Sequence, residues 1–132
     1  MTQEEKILLQ DLCARLPYGV RVWYKYETWI SKKFATSIRL ADEKIALSSK
    51  FNKEGDWFSV EEAGEILIKP YLRPMSSMTE KEEEEWWDIF SEENTVTEEH
   101  HKSIDWLNAH HFDYRGLIPK GLALEAPNGM YN

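Results

Sequence analysis

The hydrophobic period of this chain changes twice, and each change marks a stretch that must fold differently from the one before it. Leu8, Leu9, Leu12, Cys13 and Leu16 recur as one face of a helix, with Cys13 expected as a buried core thiol on that face. Thr2 and Glu5 have the spacing of a capping box at its start. Pro17 and Gly19 end the pattern, and from Val20 to Ile30 the period becomes two. One face then collects Val20, Val22, Tyr24, Tyr26, Thr28 and Ile30 toward a core. The other collects Arg21, Trp23, Lys25, Glu27 and Trp29. Alternation also predicts strands over Phe34 to Leu40, Lys44 to Leu47, Asp56 to Val60 and Glu65 to Leu72, with a turn from Asn52 to Gly55. Ser59 to Ala63 reads equally as the start of a helical turn. Pro70 and Pro74 are expected to close the sheet, because proline cannot donate to a ladder.

The helical period then returns. Thr79 and Glu82 form a second capping-box pair, and the run Glu80 to Glu85 lies where a helix start favours negative charge. Trp86, Ile89 and Phe90 supply the apolar face, with Trp87 beside them. A third helix is predicted from about Thr97 to Phe112 on the stripe Ile104, Leu107 and His111. These segments predict one α+β domain: an N-terminal helix over 1–17, a β-rich region over 18–74, two helices over 77–113 and a C-terminal loop and tail over 114–132. Four or five short strands imply a small curved antiparallel sheet, or its partly open barrel form, packed with about three helices. Within the tail, Leu122 to Leu124 reads as one extended piece.

Charge is segregated along the chain. Eight cations face three carboxylates between residues 18 and 53, whereas three face fifteen between 54 and 99, leaving a net charge of −8. That overall sign opposes indiscriminate coating of duplex DNA, while the basic block keeps a local phosphate contact open. The longest apolar runs, Ile7 to Leu9 and Ile66 to Ile68, fall far short of the roughly 20 residues that cross a bilayer. With an acidic start, Met1 to Glu5, and one cysteine, the chain is expected in the cytoplasm without a membrane partner.

The residues that carry chemistry are sparse. The histidines come in pairs, but His100 and His111 stand about 16 Å apart along a helix, too far to share one ion, so no metal site and no cofactor are expected. No catalytic constellation emerges. The nearest to one is His110, Asp113 and Arg115, which would suit a small hydrolase. Arg21, Trp23, Lys25 and Trp29 are the candidate ligand-binding residues, since aromatics interleaved with cations stack bases while holding phosphates. The alternative for that face is burial beneath a helix.

Leu9 to Val20 (LQDLCARLPYGV), Lys69 to Thr79 (KPYLRPMSSMT) and Asp105 to Leu124 (DWLNAHHFDYRGLIPKGLAL) together resemble a family of small uncharacterised proteins carried by bacteriophages, prophages and mobile elements of gut anaerobes. The resemblance implies a phage or prophage accessory protein working in a host cell. It carries over no catalytic or binding residue. Joined to the acidic, aromatic-rich composition, it leads to a non-enzymatic module that binds a host or phage protein. A nucleotide or single-stranded nucleic-acid binder, acting by sequestration, is the alternative reading, and a hydrolase the third.

Overall fold

Thr2 opens the first helix by accepting the Glu5 backbone N–H on its hydroxyl at 3.1 Å, which satisfies one of the orphan donors at a helix start. In the computed structural model, which describes residues 2–26, 33–50, 55–94 and 101–131, this helix α1 spans Gln3–Arg15. Leu8, Leu9 and Leu12 are buried as the period predicts, but Cys13 is exposed. At about 100° per residue, Glu5, Leu8, Leu12 and Arg15 share an arc of some 80°, and Cys13 falls about 100° beyond Leu12. The inner face therefore continues through Arg15, whose charge is matched by Asp11 one turn earlier. A 3₁₀ turn over Leu16–Tyr18 follows, and Gly19 turns the chain with φ 73°, a left-handed conformation natural to glycine.

Among the described residues the sheet has six strands in the order β4-β3-β2-β1-β7-β8. Four antiparallel strands, β1 (Arg21–Tyr24), β2 (Lys33–Arg39), β3 (Lys44–Ser48) and β4 (Asp56–Ser59), form one side. A small separate hairpin, β5 (Glu61–Glu62) and β6 (Glu65–Ile66), turns at Ala63 and Gly64, both with positive φ as a tight primed turn requires. β7 (Ile68–Leu72) then returns antiparallel to β1, and β8 (Leu124–Glu125) adds parallel to β7. The sheet is thus mixed rather than purely antiparallel, has more than the expected four to five strands, and is not a closed barrel. The predicted strand over residues 20–30 stops at Tyr24, with Lys25 and Tyr26 already in a turn and Tyr26 exposed. Residues 27–32 and the predicted turn at 52–54 lie outside the described residues.

Pro70 does not close the sheet but sits inside β7, opposite Val22. Lys25 N donates to Leu67 O at 3.0 Å, so hydrogen-bonded pairs between β1 and β7 alternate with this one and skip the Val22–Pro70 position. The missing N–H of Pro70 thus faces the other flank. There β8 pairs only with Tyr71 and Leu72.

Leu8, Leu12, Val20, Val22, Ile45, Leu47, Ile68 and Leu72 form the main core between α1 and the sheet. Helices α2 (Glu80–Asn94) and α3 (His101–Ala109) enclose a second cluster around Trp106, Leu107 and Phe112. Ile104, placed on the α3 stripe by its spacing, is exposed, while Ser103 and Asn108 are buried. The predicted start of α3 at residues 97–100 lies outside the described residues. No helix among those described is long and apolar enough to cross a membrane.

Candidate functional site

On β1 the alternation holds: Val22 and Tyr24 are buried, and Arg21 and Trp23 are half-buried on the opposite face. Each candidate ligand residue there already has a neighbour. The Arg21 guanidinium lies 4.4 Å from the Phe34 ring centroid, the Lys69 ammonium 5.9 Å from that of Trp23, and Lys25 pairs with Glu65 at 2.5 Å. Trp29 lies outside the described residues. Trp23 opens onto a cleft of about 440 Å³, whose lining adds Glu5, Glu61 and Glu65 to Lys69 and Lys120. Carboxylates so close to the ring oppose the positive field that a phosphate needs.

The second feature joins α1 to the C-terminal segment. Asp11, fully buried, accepts Arg15 Nε at 2.9 Å, Arg15 Nη2 at 3.1 Å and Arg115 Nη1 at 2.8 Å. Arg15 Nη2 also donates to Phe112 O at 2.6 Å. Asp113 accepts the backbone N–H groups of Leu117 and Ile118 at 2.8 and 2.9 Å, pinning the turn that follows. His110 stacks on Trp106 and donates from Nδ1 to Trp106 O at 2.9 Å. The three residues considered for hydrolysis therefore serve three different neighbours. His111, in a left-handed conformation, stacks on Tyr131 at 3.8 Å, and burial with nearby Arg15 pulls its pKa down to about 3, so it is neutral. The Tyr131 hydroxyl accepts from Arg21 N at 2.9 Å and donates to Tyr71 O at 2.7 Å, replacing a rung at the end of the β1–β7 ladder.

The third feature is the outer face of α2. Its cap is reciprocal: Glu82 N donates to Thr79 Oγ1 at 3.2 Å, and Thr79 N to Glu82 Oε1 at 3.1 Å. Arg73 binds both Glu82 oxygens at 2.7 and 2.8 Å, and these hydrogen bonds hold the Glu82 carboxyl down to about 2. Trp86 faces inward, donating from Nε1 to Ser103 O at 3.2 Å and stacking on Phe90 at 5.0 Å. Glu85 accepts the Trp106 Nε1–H at 3.3 Å. These contacts fix the helix azimuth.

Trp87 is left outside, 50% exposed, with its ring braced edge-on by Trp86 at 5.1 Å and Phe90 at 5.6 Å. Around it Glu80, Glu83, Glu84 and Asp88 line a shallow cleft of about 610 Å³. The acidic run was legible in the sequence. Its exposed aromatic was not, because Trp87 adjoins the Trp86, Ile89 and Phe90 stripe and periodicity alone assigns it to either side.

A further group of carboxylates converges where α1 begins. Glu5 from α1, Glu43 from the β2–β3 turn and Glu61 from β5 each place an oxygen within 4.8 Å of the other two. Burial and the hydrogen-bonding Glu43 carboxyl raise the Glu5 pKa. No family profile, curated protein or solved structure matches the chain.

Proposed function

We propose that this chain is a non-enzymatic binding module that docks a protein through the acidic, Trp87-bearing face of α2, and that its partner presents a basic surface with an apolar notch. The observation that carries the reading is a half-exposed tryptophan braced edge-on by Trp86 and Phe90 in a cleft lined by four carboxylates. Tryptophan is enriched among the residues that dominate binding energy, and bracing reduces the entropy lost on docking. Carboxylates around it steer a cationic partner and disfavour anionic ones. The resemblance to small phage and prophage proteins supports a partner within the host cytoplasm, of host or phage origin.

The test is cross-linked capture from host cells with wild-type protein, Trp87→Ala and the reversal Glu83→Lys with Glu84→Lys, followed by titration calorimetry with the purified partner. We expect a basic protein bound by wild type, weakened at least tenfold by Trp87→Ala, and bound progressively less as salt rises. Equal binding by all three proteins, or recovery of no specific partner by wild type, would sink the reading. Quenching of tryptophan fluorescence by added nucleotide or oligonucleotide would instead favour the Trp23 cleft.

A further inference from the structure

The structure assigns a divalent-cation site, suited to calcium, to Glu5, Glu43 and Glu61. Three carboxylates from three elements distant in sequence converge, each with an oxygen within 4.8 Å of the others. An acidic cluster on a surface is ordinarily a solvated one. Here Glu5 is 2% exposed, and its Oε1 has no hydrogen-bond partner. A buried carboxylate oxygen that meets no N–H or hydroxyl donor, in a group of three carboxylates, is a ligand atom in want of a cation.

The chemistry narrows the ion. The donor set is oxygen only, which suits hard cations rather than zinc or copper. Calcium binds oxygen at about 2.3–2.6 Å, so two ligands on opposite sides of it stand roughly 4.6–5.2 Å apart. The 4.8 Å limit on the carboxylate spacing admits such a pair. Calcium tolerates irregular oxygen cages, whereas magnesium demands near-ideal octahedral geometry at about 2.0–2.1 Å. Glu61 is positioned by the Gly64 N–H, which donates to its Oε1 across the β5–β6 turn. Glu43 is set by the Val60 N–H donating to its carbonyl at 3.0 Å. The adjoining cleft beside Trp23, which both Glu5 and Glu61 line, supplies room for water ligands. The cation would tie α1, the β2–β3 turn and the β5–β6 hairpin together.

Calorimetric titration of the full chain with calcium chloride at neutral pH, after chelator treatment and dialysis, tests this directly. We expect one ion per chain with a Kd of about 10⁻⁴ M, weaker binding of magnesium, and a melting temperature that rises with calcium concentration. Glu43→Gln and Glu61→Gln, both at partly exposed positions, should fold and each weaken calcium at least tenfold. Absence of binding at 10 mM calcium, a requirement of about 100 times the stated Kd, overturns the assignment. So does calcium binding that both variants retain unchanged.

Discussion

Replacing Asp11 by Asn should be among the most destabilising single changes in the molecule. Asp11 and Arg15 are both fully buried, and Arg115 reaches the same carboxylate from the far end of the chain. The amide occupies nearly the same volume but leaves two guanidinium groups with no negative charge between them. A unit-charge pair at about 4 Å contributes roughly 4 kcal/mol at an effective dielectric of 20. Breaking one partner of a buried pair typically costs about 3–5 kcal/mol. Against a total stability of about 5–15 kcal/mol, that is a large fraction. With a urea m-value of about 2 kcal/mol/M, the unfolding midpoint should fall by roughly 2 M. Urea unfolding followed by tryptophan fluorescence measures it. The decisive control is Asp11→Leu with Arg15→Met, which removes the buried charge from both sides. Arg115, partly exposed, can turn to solvent. The double variant should recover more than half of the loss. A midpoint shift below about 0.5 M for Asp11→Asn at unchanged m, or a double variant no better than the single, would refute uncompensated burial as the cause.

Tyr131→Phe should cost about 1–3 kcal/mol, because Arg21 N–H and Tyr71 C=O lose the hydroxyl that bridges them, and hydrogen exchange at the Arg21 amide should accelerate. Gly55→Ala would bring a Cβ to 2.0 Å from Leu47 O, a backbone atom, so β3 and β4 must shift apart; a loss of about 1–3 kcal/mol in thermal or urea unfolding is expected. Acid should destabilise the fold in two steps. His111 is depressed to about 3 from an ordinary 6.5, so its contribution is intact above pH 6.5 and is lost as pH falls toward 3. Glu82 is depressed to about 2 from 4.5, so its contribution fades between pH 4.5 and 2, and Arg73→Gln should shrink that lower step in unfolding midpoints measured against pH, the Thr79 hydrogen bonds keeping the remainder. Glu5, whose pKa is raised, works the other way, and Glu5→Gln should steepen the acid loss.

The elements with local signatures were legible in the sequence. Thr2 with Glu5 and Thr79 with Glu82 mark helix starts that the structure keeps, since a cap is written within four residues. What escaped was whatever depends on distant partners. Arg15 could be placed inside only by knowing that Asp11 and the Phe112 carbonyl meet it there, with Arg115 on the same carboxylate. Asp11 and Arg115 are 104 residues apart. Pro70 signals a break by composition, yet it is accommodated because its unpaired flank faces a position that β8 does not reach. At two residues, β8 is too short to show a period. The candidate face on β1 was correctly alternated. What the sequence lacked there was the neighbouring chemistry: Phe34, Glu65 and Lys69 engage Arg21, Lys25 and Trp23 respectively.

Those contacts change what the charge segregation means. Read along the chain, residues 18–53 and 54–99 are two opposite blocks of comparable interest. In the fold, the basic block meets partners nearby: Arg21 lies over Phe34, Lys25 pairs with Glu65, and Arg39 binds Asp42 while covering Trp57 at 4.2 Å. Cations held over rings and against carboxylates project a reduced field. The acidic block turns only part of itself inward, with Glu82 on Arg73 and Glu85 on Trp106. Glu80, Glu83, Glu84 and Asp88 instead line an open cleft around Trp87, and Lys81 is the one cation within α2. Four carboxylates therefore share one helix face with the exposed Trp87. On the proposed reading an incoming basic surface is attracted to where the apolar contact can be made, so the α2 face rather than the β1 strand is where the docking variants belong.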